Sequence, residues 1–234
     1  VKHDNKEKVR ILCQNVKSIN DSYKKEYFKN ILSKKKVDIL ILTETWEEPG
    51  KPYGIERTFP NCKTIKSCGK EDSYKGKGIA VVIQYPLAQH VFSFKSIAGR
   101  LIRIIFQYRK KHAISLYAIQ APTAPYGAGS EETCQKNDQI RQFLNEDISE
   151  RRRIVFCGDL NSYADRTLDY IGSTNGQSPS RIILSLQSFG LLDIYRTLNP
   201  ELIATTFRSS TVASRLDQFW GSPQLFSQIG EAKI

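Results

Sequence analysis

The 234-residue chain contains no methionine, two tryptophans and three histidines. It also has no apolar run near the eighteen or so residues that a membrane span requires. That last absence excludes a membrane-spanning helix as the basis of function. The basic N-terminus, VKHDNKEKVR, leads into a polar-interrupted strand and not into the apolar core of a signal peptide. A complete translation product ordinarily starts with Met, so a chain that begins at Val1 and holds none is expected to be a piece of a longer polypeptide. Cysteine is sparse and odd in number (Cys13, Cys62, Cys68, Cys134, Cys157). Cys13 and Cys157 lie within apolar runs, as reduced core thiols do, which points to a reducing, intracellular setting. Cys62 and Cys68 are too far apart for a zinc knuckle and have no His nearby.

What is present suits one sizeable domain over 1–234: 40% hydrophobic residues is enough to bury a core without staples. Thirty-five Lys and Arg against 24 Asp and Glu leave a formal charge of +11. That excess favours a polyanionic partner such as nucleic acid or an acidic membrane surface. The lysine-rich patches at 22–36, 63–77 and 108–112 read as solvated faces. Gly76-x-Gly78 precedes a strand, where a phosphate loop would follow one, so it reads as a turn.

VRILCQNV (9–16) and VDILILTET (37–45) are β-rich, and between them Tyr23, Tyr27, Ile31 and Leu32 recur at helical spacing, which predicts a β-α-β unit. From Gly78 onward, GIAVVIQY, HVFSFKSI, RLIRIIFQY and HAISLYAIQAP predict an antiparallel meander of four strands. A helix is expected over 130–150, opening on a Ser-x-x-Thr near-miss of a capping box, with Ile140, Phe143, Leu144 and Ile148 on its buried face. A strand, IVFCGD, follows, then a Gly/Ser/Asn loop at 172–180, a helix at 180–189, and short strands around ATTFR and SRLDQFW. Strands alternating with helices, plus a meander, predict mixed sheets covered by helices.

The ends of these strands share a chemistry. ILCQN ends in Asn15, ILILTE in Glu44, IVFCGDLN in Asp159 and Asn161, and SRLD in Asp217. Strand ends of a sheet protein converge on one rim, where a crevice forms. Clustered carboxylate and amide oxygens suit Mg²⁺, which takes one or two protein carboxylates and keeps waters for substrate phosphate to replace. Each residue alone has a simpler reading. Asn15 could form a turn, Glu44 could be a surface charge, Gly-Asp-x-Asn an Asx-turn, and Asp217 a partner of Arg215. Together, in chain order, they point to a site.

These residues resemble the endonuclease/exonuclease/phosphatase superfamily over nearly the whole chain: ILCQNVKSIN, ILTETW, GDLN and SRLD match its metal and phosphate motifs. Within it, LLDIYRTLNPELIATTF followed by SRLDQFW is most similar to the apurinic-type endonuclease domain of non-LTR (LINE-type) retrotransposons. The resemblance implies an α/β fold, a four-layer sandwich of two packed mixed sheets flanked by helices. It also implies a Mg²⁺-dependent (or Mn²⁺-dependent) phosphodiesterase that nicks double-stranded DNA for retrotransposon insertion. Such a domain would be linked to a reverse transcriptase, monomeric, independent of membranes, and in need of access to the nucleus. Glu44 and Asn15 would hold the metal, Asp159 would activate water, and Asn161 would bind the scissile phosphate. Arg166, Thr206 and Ser214 would contact DNA, with 208–213 as a hairpin tip in the minor groove.

Two positions depart from the family. Gln120 stands where it has Tyr; it keeps hydrogen-bonding capacity without the phenol. Tyr117, an odd step away, falls on the other strand face. Asp217 would orient a catalytic His near the C-terminus, yet none of His3, His90 and His112 follows it. The resemblance therefore implies that the chain lacks its last strand and that His, is nearly inactive, and exposes an aggregation-prone sheet edge. A repair-type apurinic endonuclease, another phosphoesterase of the superfamily and a catalytically degenerate DNA-binding module stay open as alternatives.

Overall fold

The computed structural model describes residues 8–50, 54–69, 75–109, 112–122, 131–172 and 179–234. Most of the loop read at 172–180, Ser130 of the near-miss capping box and His3 lie outside them.

The chain opens as the β-α-β unit its periodicity predicts. Strand β1 (Ile11–Asn15), helix α1 (Ser22–Lys34) and strand β2 (Ile39–Thr43) follow one another, with β1 parallel to β2 and Asn15 paired with Thr43. Asp21 caps α1 by accepting the Tyr23 N–H at 2.8 Å, which satisfies one orphan donor of the first turn. Phe28, Ile31 and Leu32 face the sheet, whereas Tyr23 and Tyr27 are 86% and 53% exposed. The two tyrosines share the helical spacing of Ile31 and Leu32 but lie off the buried face for a geometric reason. At 100° per residue they lie roughly 90–130° from the centre of the stripe that Phe28, Ile31 and Leu32 define.

Strands β3 (Cys62–Ser67) and β4 (Ile79–Gln84) complete a four-stranded sheet in the order β1-β2-β4-β3. β3 went unread in the sequence because Ile65 is its only large apolar residue. β4 was expected in the meander, but it lies between β2 and β3. Its unbroken apolar run is what a strand buried on both faces requires.

The meander proper has three strands, β5 (Val91–Ile97), β6 (Leu101–Arg109) and β7 (His112–Gln120). Helix α2 (Glu131–Ser149) crosses back to β8 (Arg153–Asp159), parallel to β7. Ile140 and Leu144 of α2 are buried, but Ile148 is 45% exposed. Its neighbour Asp147 takes the inward position instead, because its carboxylate receives Arg103 and the Tyr117 hydroxyl.

Next come α3 (Arg166–Asp169), β9 (Tyr170–Ile171), α4 (Arg181–Ser188), β10 (Leu192–Asp193), α5 (Ile194–Leu198), β11 (Phe207–Arg208), β12 (Ala213–Ser214) and β13 (Asp217–Gly221). The second large sheet runs β10-β13-β8-β7-β6-β5, and β11, β12 and β9 make a small third one. Ile41, Val81, Ile104, Leu116 and Cys157 pack between the two large sheets. α1 covers the outer face of the first sheet, and α2 and α4 cover that of the second. These are the four layers expected.

Candidate active site

Side chains alternate along a strand, so a residue two beyond a core residue shares its face. Cys13, Ile41, Ala118, Cys157 and Phe219 all belong to the inter-sheet core. One step of two from each leads to Asn15, Thr43, Gln120, Asp159 and Asp217. The apolar layer between the sheets therefore ends, on one rim, in polar residues from five strands. Strand pairing sets Gln120, Asp159 and Asp217 in one row, since Gln120 pairs with Asp159 and Asp159 with Asp217. Asn15 and Glu44 close the rim from the other sheet.

Hydrogen bonds join the two sheets across this rim. The Asn15 side-chain amide donates to Glu44 Oε1 at 2.7 Å and to Asp159 Oδ2 at 2.9 Å. Asn15 Oδ1 in turn accepts the Lys17 N–H at 3.2 Å. Asp159 Oδ1 accepts the Asn161 N–H at 2.9 Å, and the Asn161 amide donates to the Ala121 carbonyl at 2.7 Å. Gln120 Nε2 donates to the Gly76 carbonyl at 2.7 Å, and its Oε1 is buried without a partner among the described residues.

The backbone is unusual at this rim. Glu44 (φ 55°) and Asn161 (φ 46°) both take the left-handed region, at a cost of about 1–2 kcal/mol each. Strain of this kind gathers at functional sites. Gly158, at φ 143°, has no alternative residue: a Cβ there would stand 1.9 Å from the Ile119 carbonyl oxygen.

Burial pushes the Asp159 carboxyl above its ordinary range; the Asn161 and Asn15 hydrogen bonds pull it back, and the Glu44 charge raises it. Asp217 is pushed up to about 6 by burial first and by the Asp159 charge second, against a stabilising hydrogen bond from Thr206. Asp217 Oδ1 is buried and unpartnered among the described residues. These carboxylates are held close with less cationic compensation than their charge calls for, and a divalent cation fits hard oxygen donors so placed. Among the described residues no three His, Cys, Asp or Glu side chains already form a ligand cage. Glu44 and Asn15, with Asp159 beside them, are the residues that could hold the ion.

The simple reading of Asp217 as a partner of Arg215 does not hold. Arg215 is fully buried and forks instead onto Asp169 (2.8 and 2.9 Å) and Asp193. Arg196 also reaches Asp169. The Asp and Arg of LLDIYRTLNP are thus parts of the scaffold behind Asp217. Thr206 turns its hydroxyl inward, accepting the N–H groups of Leu216 and Asp217 at 3.0 Å each. Ser214 is buried in the small sheet, and Arg166 stands exposed at the start of α3.

Lys24 was missed in the sequence, where it reads as one charge of a run. Its ammonium donates to the carbonyls of Val16, Lys17 and Ser18 at 2.7–3.1 Å and fixes the loop after Asn15. His90 stacks on Tyr108, and His112 starts β7 at the end opposite Gln120, so neither serves this rim. Tyr117 meets Asp147 on the outer face of its strand, as its odd offset from Gln120 predicts.

Residues 11–231 match the Endonuclease/Exonuclease/phosphatase family, and the chain belongs to it. Two solved structures share the fold. The 3′ phosphatase NExo from Neisseria, bound to a product DNA hairpin, is 18% identical with a TM-score of 0.72, over 94% of this chain and 88% of that one. The 3′–5′ exonuclease NExo from Neisseria meningitidis, also 18% identical, has a TM-score of 0.71, over 94% and 90%. Among curated proteins none matches the sequence.

Proposed function

We propose that the chain is a Mg²⁺-dependent DNA endonuclease that nicks double-stranded target DNA, in the manner of the LINE-type retrotransposon nucleases whose motifs it resembles. The carrying observation is the rim where Asn15 bridges Glu44 and Asp159 while Asp217 lies in register beside Asp159. On this reading the protein works inside the cell with access to nuclear DNA, joined to a reverse transcriptase.

Asp159, a buried carboxylate with a raised proton affinity, takes the proton of the attacking water. Asn161 holds the scissile phosphate, and its left-handed backbone fixes the amide that does so. A bound divalent cation supplies Lewis-acid charge at the phosphoryl oxygen, and Glu44 with Asn15 would hold it. Arg166 adds a cation for a neighbouring phosphate. The unpartnered Asp217 Oδ1 fits an imidazolium donor, which the resemblance assigns to a His absent from 1–234 and which would stabilise the developing charge.

Nicking of supercoiled plasmid in Mg²⁺ tests this. The expected result is slow nicking, about 10²–10³ below that of a histidine-complete enzyme, stimulated by added imidazole and abolished in Glu44→Ala. Fast nicking indifferent to imidazole would refute the assignment of the Asp217 partner.

A second reading is 3′-end processing, favoured by the folds of the NExo 3′ phosphatase and exonuclease. Release of phosphate from a 3′-phosphorylated oligonucleotide, with intact plasmid untouched, would select it.

A further inference from the structure

Of the four residues at helical spacing in α1, Ile31 and Leu32 face the sheet and the two tyrosines face solvent. Tyr23 and Tyr27 stand one turn apart, 86% and 53% exposed. With 100° per residue, Tyr23, Tyr27, Asn30 and Lys34 fall in one stripe about 60° wide and about 16 Å long. Residues 22–36 carry six lysines against the single Glu26, and Lys34 sits in the last turn with Lys35 and Lys36 exposed behind it. Tyr27 is held edge to face by the buried Phe28 at 5.1 Å, so its ring is presented and not loose.

The same helix is tied to the candidate site: Lys24 clamps the carbonyls of Val16, Lys17 and Ser18 just after Asn15. Lys17 lies exposed at this junction, 5.8 Å over the Phe207 ring of the hairpin. A basic, aromatic strip therefore runs from the rim outward along α1.

Lysines alone would make a solvated face. Two exposed tyrosines one turn apart, with Lys17 near one end of their stripe and Lys34, Lys35 and Lys36 at the other, are what a single strand uses, since bases stack on rings while the backbone meets ammonium groups. A duplex offers no free base faces and could use only the lysines. We propose that the solvent face of α1 is a docking strip for single-stranded DNA, taking the strand freed beside the cleavage site. The inference rests on the nuclease reading for its placement, and the chemistry of the strip carries the choice of ligand.

The test is fluorescence anisotropy of the 234-residue protein with labelled oligothymidylate of ~20 nucleotides, the matching duplex and oligouridylate. Tyr23→Ala/Tyr27→Ala is expected to weaken oligothymidylate binding about tenfold or more, to leave the duplex within about twofold, and to leave plasmid nicking unchanged. Tyr23→Phe/Tyr27→Phe should bind as the parent does, because the ring and not the hydroxyl is the platform. Unchanged binding in the alanine pair, equal losses for single strand and duplex, or oligouridylate bound more than tenfold tighter than oligothymidylate would each overturn the proposal. A protein that nicks without tyrosine-dependent binding sinks this inference alone. One that binds through the tyrosines but never nicks sinks the nuclease reading alone.

Discussion

Two sets of acids, one at the rim and one in the scaffold behind it, are wired in opposite ways. Behind the rim, Asp169 and Asp193 receive the forked guanidinium of Arg215, and Asp147 receives Arg103 and Arg152. At the rim, Glu44, Asp159 and Asp217 receive amide, backbone and hydroxyl hydrogens, with the Arg100 charge lowering Asp159. Bidentate arginine pairing neutralises a carboxylate and fixes its geometry, which is a structural use. Carboxylates with raised proton affinities, as Asp159 and Asp217 have, are held for something that has yet to arrive: a cation, a proton, or both. Asp159 is as buried as Asp169 and Asp193, so for these acids the partner, and not the depth, decides the role.

That contrast can be broken in graded ways. Asp159→Asn should lower nicking by about 10²–10⁴-fold, the range for losing a positioned base, with little loss in melting temperature because a like-charge contact is relieved. A melting temperature that collapses along with activity would move Asp159 into the structural set. Arg215→Met leaves Asp169 and Asp193 buried without their fork, and urea denaturation should show a loss of about 3–5 kcal/mol. A loss under about 1 kcal/mol would mean that the pairing contributes little.

The pH dependence of stability separates the sets further. Asp217 has a folded pKa of about 6, raised above the ordinary 3.8, so the native state holds its proton more tightly than the unfolded chain between those values. Its effect is absent below about pH 4 and grows to a destabilisation on the order of 2–3 kcal/mol by pH 6 to 7. Asp217→Asn should flatten that fall, as followed by urea midpoints across the range. The smallest effect belongs to the exposed pair Lys29 and Glu26, 3.7 Å apart on α1, where Lys29→Ala should cost no more than about 0.5 kcal/mol.

Much of this was legible before any coordinates. Apolar β runs ending in Asn15, Glu44, Asp159 and Asp217 gave the rim, because period-2 alternation puts the terminal polar residue on the face its neighbours bury. Gly158 belonged to the quoted motif, but only the close approach of the Ile119 carbonyl explains why nothing larger fits there. β3 was hidden by its lysines, and β4 was misassigned because consecutive strands in a chain need not share a sheet. The tyrosines of α1 misled for a related reason: an aromatic ring at helical spacing satisfies the pattern of a buried face whether or not a sheet lies beneath it.

The sequence by itself determined most of the strands and the long helices, the family motifs and the excess of positive charge, since propensity and periodicity act over a few residues. The tertiary structure alone decided that Arg215 would fork onto Asp169 and Asp193 and not onto Asp217, which face α1 would show to solvent, and that Asn15 would stand between two carboxylates from different strands. Those outcomes depend on contacts between residues as many as 144 positions apart, whose geometry is fixed only when the two sheets pack.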